Sequence, residues 1–374
     1  MQRRIFPNVV LGAGAMGAAA AYQLARRGEP VILIDQFAIG HDRGSSHGVA
    51  RITRHSYADP AYARLMLDAF RAWRELEAEA GQSLYIRTGG VSISPEEVDY
   101  VGRVADALAS IDVPHRRMTG RAWNQCSRQF ALKSSDDVVF EPDAGLLLAS
   151  KAIEVQVELA RERSAEVWEH SPVRSVDLDG ERPTLVLDDL ELEADRLIVT
   201  AGAWTTRLLP SLGIPLRPTR QQVLYFRPDD PSAFSIGRFP AFIYIGQGLQ
   251  DAYYVMPEGL GMGVKAARHG GPDVDPSVED RTIDPAYVEE VRAFLRRTVP
   301  GLADSPIDRT EVCIYTMAEG ENFRLGKLPG REDVVVASPC SGHGFKFSAL
   351  IGRVLADLAI EGSTSIDIDP WRLA

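Results

Sequence analysis

The run from Val9 to Asp35 constrains this chain more than any other stretch, because its pattern admits one local architecture. Asn8-Val9-Val10-Leu11 reads as a short buried strand, Gly12-Ala13-Gly14-Ala15-Met16-Gly17 as a turn, and residues 18–27 as a helix. Val31-Ile32-Leu33-Ile34 follows as a continuous apolar strand, the pattern of a parallel strand covered on both faces, and it ends in Asp35. The three glycines differ in what they allow. Gly12 permits the tight turn, Gly14 lets backbone approach a pyrophosphate, and Gly17 lets the helix pack closely on the strand. The helix start suits an anion, and Asp35, eighteen residues after Gly17, suits a ribose hydroxyl pair. A lone G-x-G-x-x-G is a weak signal, but with both strands, the helix and the terminal acid in place it reads as a dinucleotide-binding unit. FAD and NAD satisfy this unit equally.

At 374 residues, with 45% hydrophobic and 25% charged residues, the chain has the composition of a globular protein long enough for two lobes. Lysine plus arginine number 41 against 52 aspartates and glutamates, a formal charge of -11, which argues against nucleic-acid and anionic-membrane partners. Any basic cluster is then a tool of a pocket. Cys126, Cys313 and Cys340 are an odd number without C-x-x-C spacing, so neither a disulfide framework nor a metal site is expected, and a reducing cytoplasm fits. Arg3-Arg4 before the apolar run to Ala21 imitates a signal peptide, but the glycines fall on the dinucleotide pattern and the run leads directly into the second strand. No other apolar run approaches the ~20 residues of a membrane span.

Along the chain, the polar segment 40–48 leads to Arg51-Ile52-Thr53-Arg54-His55-Ser56-Tyr57, where two arginines three apart, with His47 nearby, read as either a solvated face or an anion site. A helix is expected over 60–80, short strands over 84–95, a helix through Val98, Val101, Val104 and Leu108, and an irregular excursion into a second lobe over 113–141. A helix near 151–164 precedes short antiparallel strands at 173–178, 184–187 and 190–193. Another strand then ends in Thr200-Ala201-Gly202-Ala203-Trp204. A strand with small residues returning to the sheet favours FAD over NAD, since a nicotinamide domain would show continuous alternation of parallel βα units. Strands at 221–227, 242–245, 252–256 and 261–266 predict a sheet-rich lobe. They are followed by an amphipathic helix at 286–299 and a strand at 310–317 with Glu311, Cys313, Tyr315 and Met317 on one face. The chain closes with a buried strand at 333–337, the turn Ser341-Gly342-His343-Gly344-Phe345-Lys346-Phe347, and a helix.

On Gly12–Gly17, Ser46-His47-Gly48, Arg51–Tyr57, Cys313-Ile314-Tyr315-Thr316-Met317 and Ser341–Ser348, the chain resembles the monomeric sarcosine oxidase and N-methyltryptophan oxidase family over nearly its full length. These are flavoproteins of the D-amino-acid-oxidase fold. The resemblance implies an α/β, two-lobed FAD-binding fold: a Rossmann-like dinucleotide domain from 1–85, 145–215 and 325–374, and an interleaved, sheet-rich substrate domain from 86–144 and 216–324. It implies FAD joined through sulfur to Cys313, with contacts from Gly12, Gly14, Met16, Gly17, Asp35, Ser46, His47, Arg51, Val173, Ala201, Gly202, Trp204, Gly342, His343, Gly344 and Lys346. Lys265 takes the place of the family lysine that activates oxygen, with His269 at the matching spacing. Arg51 takes that of the arginine beneath the flavin ring. Arg54 and Lys346 correspond to the pair that holds the substrate carboxylate, and Tyr254 and Tyr315 to the cavity wall.

The activity so implied is oxidation of a secondary amino acid, an N-methyl or N-substituted compound or a cyclic imino acid, to an imine, with O2 reduced to hydrogen peroxide by a cytoplasmic monomer. A dehydrogenase passing electrons to another acceptor and a non-catalytic flavin-binding subunit are the alternatives. Three departures imply a different substrate from the named members: Ala50 in place of threonine, Ala58-Asp59-Pro60 in place of a Gly-Glu-Gly loop, and Phe323-Arg324-Leu325-Gly326-Lys327 in place of a more apolar and acidic stretch.

Overall fold

The computed structural model describes residues 2–210, 213–248 and 251–373. It is an α/β fold built on two eight-stranded sheets and one three-stranded sheet. The first large sheet has at its centre Gln2–Leu11, flanked in parallel by Val31–Ile34 and Leu190–Val199, with Arg331–Ser338 parallel to the latter. Their inner residues, 9–11, 31–34, 197–199 and 334–337, are apolar and buried, as in a sheet covered on both faces.

The opening strand is longer than the expected Asn8–Leu11. Its register with Leu190–Val199 runs from Gln2↔Leu190 to Leu11↔Val199, so 190–193 and 195–199, expected as separate strands, are one. The hydrophobic pattern misses this extension because its first half faces solvent, where Arg3 pairs with Glu193 at 2.6 Å and Arg4 with Glu166 at 2.6 Å. The segment 113–141, expected to be irregular, carries two strands, Arg116–Thr119 and Asp137–Glu141, and the short helix Gly120–Cys126.

Helix Ala15–Arg26 has only one residue, Arg26, outside the core. Its alanines let the C-terminal helix Ser348–Ile360 come so close that a Cβ on Gly352 would lie 2.5 Å from Ala19. The two Gly-turn-helix segments therefore pack side by side, and both helix starts face one region.

The second large sheet orders its strands as Ile307–Met317, Arg217–Phe226, Val264–Arg268, Ala252–Met256, Ala241–Ile245, Gly90–Ser94, Asp137–Glu141 and Arg116–Thr119. Lys265 pairs with Tyr225 and Met256, Tyr254 with Ile243 and Ala267, Cys313 with Gln221, and Tyr315 with Thr219. Directly opposed residues project to the same side and side chains alternate along a strand, so Lys265, Tyr254, Cys313 and Tyr315 share one face. That face looks towards the small sheet Ala50–Thr53, Gly145–Leu148 and Tyr85–Arg87, which carries Arg51.

Glu141, fully buried at the end of its strand, ties these parts together. Its carboxylate accepts from the main-chain N–H groups of His55 (2.9 Å) and Ser56 (3.0 Å), from the Ser56 hydroxyl, and lies 2.6 Å from His55 Nδ1. The His55 ring also stacks on Phe70 at 4.1 Å. Burial pushes the Glu141 carboxyl up, but the bonds from His55 and Ser56 outweigh it and hold the group below the usual glutamate value. A depressed carboxyl contributes stability that is complete above its unfolded value near 4.5 and is lost as pH falls through the folded value. Urea unfolding of Glu141→Ala at neutral pH should show a loss of about 3 kcal/mol or more, and the acid decline of the wild type below pH ~4.5 should be shallower in the variant. Equal acid limbs would refute this assignment.

Candidate active site

A cavity of about 1310 Å³ runs from the glycine turn, past Asp35, Val173 and Trp204, to Cys313, Lys265, Arg54 and Lys346. At one end of it Gly12 adopts φ +100°, and a Cβ there would lie 2.7 Å from the Thr200 carbonyl. A Cβ on Gly17 would lie 1.8 Å from the Gly12 oxygen, so this glycine sets the approach of the helix to the turn. Gly14 is extended, and Ser46 Oγ, which takes the N–H of Ala15 at 3.0 Å, lies beside it.

Asp35 is held by main-chain groups on both sides. Its carboxylate accepts from Ala13 N at 2.7 Å and Phe37 N at 2.9 Å and so binds the end of its strand to the glycine turn, while burial pushes the carboxyl up. Phe37 and His41, neither singled out in the sequence, extend the wall begun by Trp204, with Phe37 5.7 Å from the Trp204 ring and 4.7 Å from His41. Met16, Ala201 and Gly202 line the same end.

In the middle of the cavity, Arg51 gives its guanidinium to the carbonyls of Ala50 (2.9 Å), Ser45 (2.9 Å) and His47 (2.6 Å), and no carboxylate pairs with it among the described residues. Burial, then Arg51, pushes His47 down to about 3, so its ring is neutral, and Nδ1 is buried without a partner among the described residues. Lys265 is 2% exposed and has the rings of Tyr225 and Tyr254 at 5.8 and 6.0 Å from its Nζ. Burial first, and Arg51 second, hold its ammonium well below the ordinary lysine value. Cys313 is also buried, which pushes its thiol up, opposed by Arg51 and Lys265. Gly342 sits at φ +85° under two rings: a Cβ would lie 2.4 Å from His269 Cε1 and 2.6 Å from Tyr315 Cε2.

At the far end the guanidinium of Arg54 lies over the Tyr57 ring at 4.5 Å, and its Nη1 is buried without a partner among the described residues. Lys346 Nζ donates to the Tyr57 hydroxyl at 3.0 Å and to the His343 carbonyl at 2.8 Å. His343 Nε2 meets the Glu321 carbonyl at 2.9 Å and Nδ1 meets the Tyr57 hydroxyl at 3.1 Å. Burial, then Lys346, pushes His343 down to about 3, so the ring is neutral. A carbonyl only accepts, so Nε2 carries the proton, Nδ1 accepts from Tyr57, and the Tyr57 oxygen is free to accept from Lys346. Tyr57 is thus the hub of this end. The sequence offered it only as part of the Arg51–Tyr57 motif, and nothing in the sequence marked Glu321.

Of the three expected specificity elements, Ala58-Asp59-Pro60 lines the cavity. Phe323–Lys327 does not: Phe323 stacks on His343 from behind, and Arg324–Leu328 is a strand paired with Arg331–Ser338. Ala50 is wholly buried and does not line the cavity either.

Two buried lysines, two half-buried arginines, two orphaned polar atoms and a glycine-lined approach to a helix start fit an elongated, anionic ligand, as FAD is. When bound, FAD would have its pyrophosphate held by Gly14, Ala15 and Ser46. The sequence matches the FAD dependent oxidoreductase family over residues 8–358. It is 35% identical to the monomeric sarcosine oxidase of Bacillus sp. (strain B-0618), over 97% of this chain and 94% of that protein. It is 31% identical to the N-methyl-L-tryptophan oxidase of Salmonella arizonae, over 98% of each. Among solved structures, NikD, an unusual amino acid oxidase essential for nikkomycin biosynthesis, superposes with a TM-score of 0.86 at 22% identity, covering 99% of this chain and 98% of that one. The L-proline dehydrogenase of P. horikoshii gives 0.85 at 22% identity, covering 100% and 97%. The chain therefore belongs to the FAD dependent oxidoreductase family, in the branch of the monomeric sarcosine and N-methyltryptophan oxidases. It is an FAD-dependent amine oxidase.

Burial, then Arg54, holds Lys346 well below the ordinary lysine value of 10.5. A carboxylate binds the ammonium form, so affinity should decline as pH rises through the Lys346 value. Titration with a non-oxidisable carboxylate, followed in the flavin band, should show this alkaline limb in the wild type. In Lys346→Met the limb should flatten, with affinity down by about 30-fold or more. An unchanged limb in the variant would assign the titration to another group.

Proposed function

We propose that the chain oxidises a secondary amino acid, an N-methyl or otherwise N-substituted glycine-like compound or a cyclic imino acid, to its imine, with O2 reduced to hydrogen peroxide. The observation that carries this reading is the pair Arg54, half-buried, and Lys346, buried, joined through Tyr57 and without carboxylate partners among the described residues, at the end of a cavity that continues to Lys265 and Cys313. A planar fork and a point charge together fix a carboxylate in position and orientation. That grip would present the C–H bond beside the nitrogen to the middle of the cavity, where Tyr254, Tyr315 and His269 exclude water from it. The flavin, when bound there, supplies the two-electron acceptor for that bond.

Reduction of O2 builds negative charge, which a buried ammonium stabilises more than one in water does. Lys265, with aromatic rings on two sides and Arg51 near it, is placed to do so. An anion arriving beside it favours its charged form and opposes the effect of burial. We further assign the thiol of Cys313 as the point of covalent attachment, residues 1–85, 145–215 and 325–374 as the cofactor-binding lobe, and 86–144 with 216–324 as the substrate lobe. Strand membership in the two large sheets supports that division. The working form is taken as a monomer in the cytoplasm, in keeping with relatives named as monomeric and with three unpaired cysteines.

Anaerobic titration with N-methyl and cyclic amino acids, read in the visible spectrum, tests the reaction. At least one compound should bleach the flavin band, and colour should return on admitting air. In Lys265→Met the return should slow by about 100-fold or more while bleaching changes far less. Bleaching by none of these compounds would discard the secondary-amino-acid reading, and equal slowing of both phases would discard the oxygen role of Lys265. Acid precipitation should leave the yellow chromophore with the wild-type pellet and release it from Cys313→Ser. Release from both would disprove attachment at this sulfur.

A further inference from the structure

Of the imidazoles along the cavity, His269, just beyond the Lys265 strand, and His343, in the glycine turn before Lys346, are both held by one residue. The two carboxylate oxygens of Glu321 each lie 3.2 Å from His269 Nε2, and its main-chain oxygen lies 2.9 Å from His343 Nε2. Glu321 does this from φ +58°, next to Gly320 at φ +64°, a left-handed conformation that residues other than glycine, asparagine and aspartate seldom adopt. The turn is braced on both sides. Glu321 N donates to the Ala318 carbonyl at 3.0 Å, Phe323 N donates to the Tyr62 hydroxyl at 3.1 Å, and that hydroxyl donates to Asn322 Oδ1 at 3.3 Å. Phe323 in turn lies flat on His343, at 4.9 Å and 21°. A strained backbone so firmly held, with both of its acceptors spent on rings of the site, is the signature of a positioning element.

We propose that Glu321 is a positioning residue that sets both His269 and His343 from a single turn, its carboxylate keeping a proton on Nε2 of the first and its main-chain carbonyl keeping one on Nε2 of the second. The chemistry leaves no other assignment for the donors, since an ionised carboxylate and a carbonyl only accept. For His343 the consequence passes onward. With its proton held on Nε2, Nδ1 takes the Tyr57 hydroxyl, and the Tyr57 oxygen takes Lys346, so the carboxylate-binding lysine is oriented from the Glu321 turn. For His269 the consequence is a fixed ring plane against Tyr315 and Gly342. The kinetic part of this inference rests on the cavity being the site of amine oxidation; the tautomer part does not.

The test separates the two acceptors. Glu321→Gly keeps the main-chain carbonyl and suits φ +58°, so it removes the carboxylate without straining the turn. Glu321→Gln keeps a side-chain oxygen that can still accept. In holoenzyme labelled with 15N in its histidines, long-range proton–nitrogen correlations report each tautomer without turnover. The wild type should show Nε2–H for both rings. Glu321→Gly should leave the His343 pattern intact and turn that of His269 into a mixture, with kcat down by about tenfold or more and KM for the amino acid within about threefold. Glu321→Gln should restore the His269 pattern and most of kcat. A wild-type His269 pattern in the glycine variant, loss of the His343 pattern there, or a glutamine variant as impaired as glycine would each overturn the proposal. A wild type with the expected tautomers that oxidises no secondary amino acid would overturn the reading of the reaction and leave the positioning role standing.

Discussion

The buried carboxylate of Glu141 is the joint on which the site depends. It belongs to the second large sheet, yet every bond it makes is to the segment leaving the small sheet, at His55 and Ser56. Arg54 and Tyr57 flank those two residues in the chain. Their side chains therefore reach the cavity from a backbone already fixed by four groups bonded to one acceptor. A carboxylate spent in this way is also withdrawn from the cations around it, so Arg54 is left with the Tyr57 ring face and an orphaned Nη1 in place of an ion pair.

The same principle governs the other charges. Arg51 is satisfied by three carbonyls, Lys346 by a hydroxyl and a carbonyl, and Lys265 lies near two aromatic rings. Burying cations without carboxylates is costly, and the cost appears as the lowered lysine values. Such a cavity is unbalanced in charge until anions enter it. A dinucleotide and a small carboxylate are anions of the kind that such a continuous space suits. Neutral His47 and His343, both pushed down by burial, add hydrogen-bonding capacity there without adding further positive charge.

Much of the fold was legible because its signals are local. The turn Gly12–Gly17 with its two apolar strands needs no distant contact to be read, and period-two alternation announced the strands that carry Lys265, Tyr254 and Cys313. What escaped was set by partners far away in sequence. The first half of the opening strand is polar and exposed, and it is a strand only because Leu190–Val199 lies beside it. The strand at Asp137–Glu141 hides in a polar stretch, and its terminal glutamate looks like a surface acid until His55 and Ser56 surround it. Glu321 is the extreme case, since an Ala-Glu-Gly-Glu-Asn sequence reads as an ordinary exposed turn. Phe323–Lys327 erred the other way: a departure in sequence read as specificity lies behind the cavity, in a strand.

The sequence by itself determined that a dinucleotide turn opens the chain, that a second glycine turn closes it, and that arginine, lysine and cysteine blocks of a flavoprotein amine oxidase stand between them, because residue type and spacing carry those signals. Only the tertiary structure decided which carboxylates serve as braces, which cations stay without a carboxylate among the described residues, which nitrogen of His343 carries a proton, and that Tyr57 lies between Arg54 and Lys346. Those properties belong to burial and to hydrogen-bond partners, and both exist only once strands far apart in the chain lie face to face.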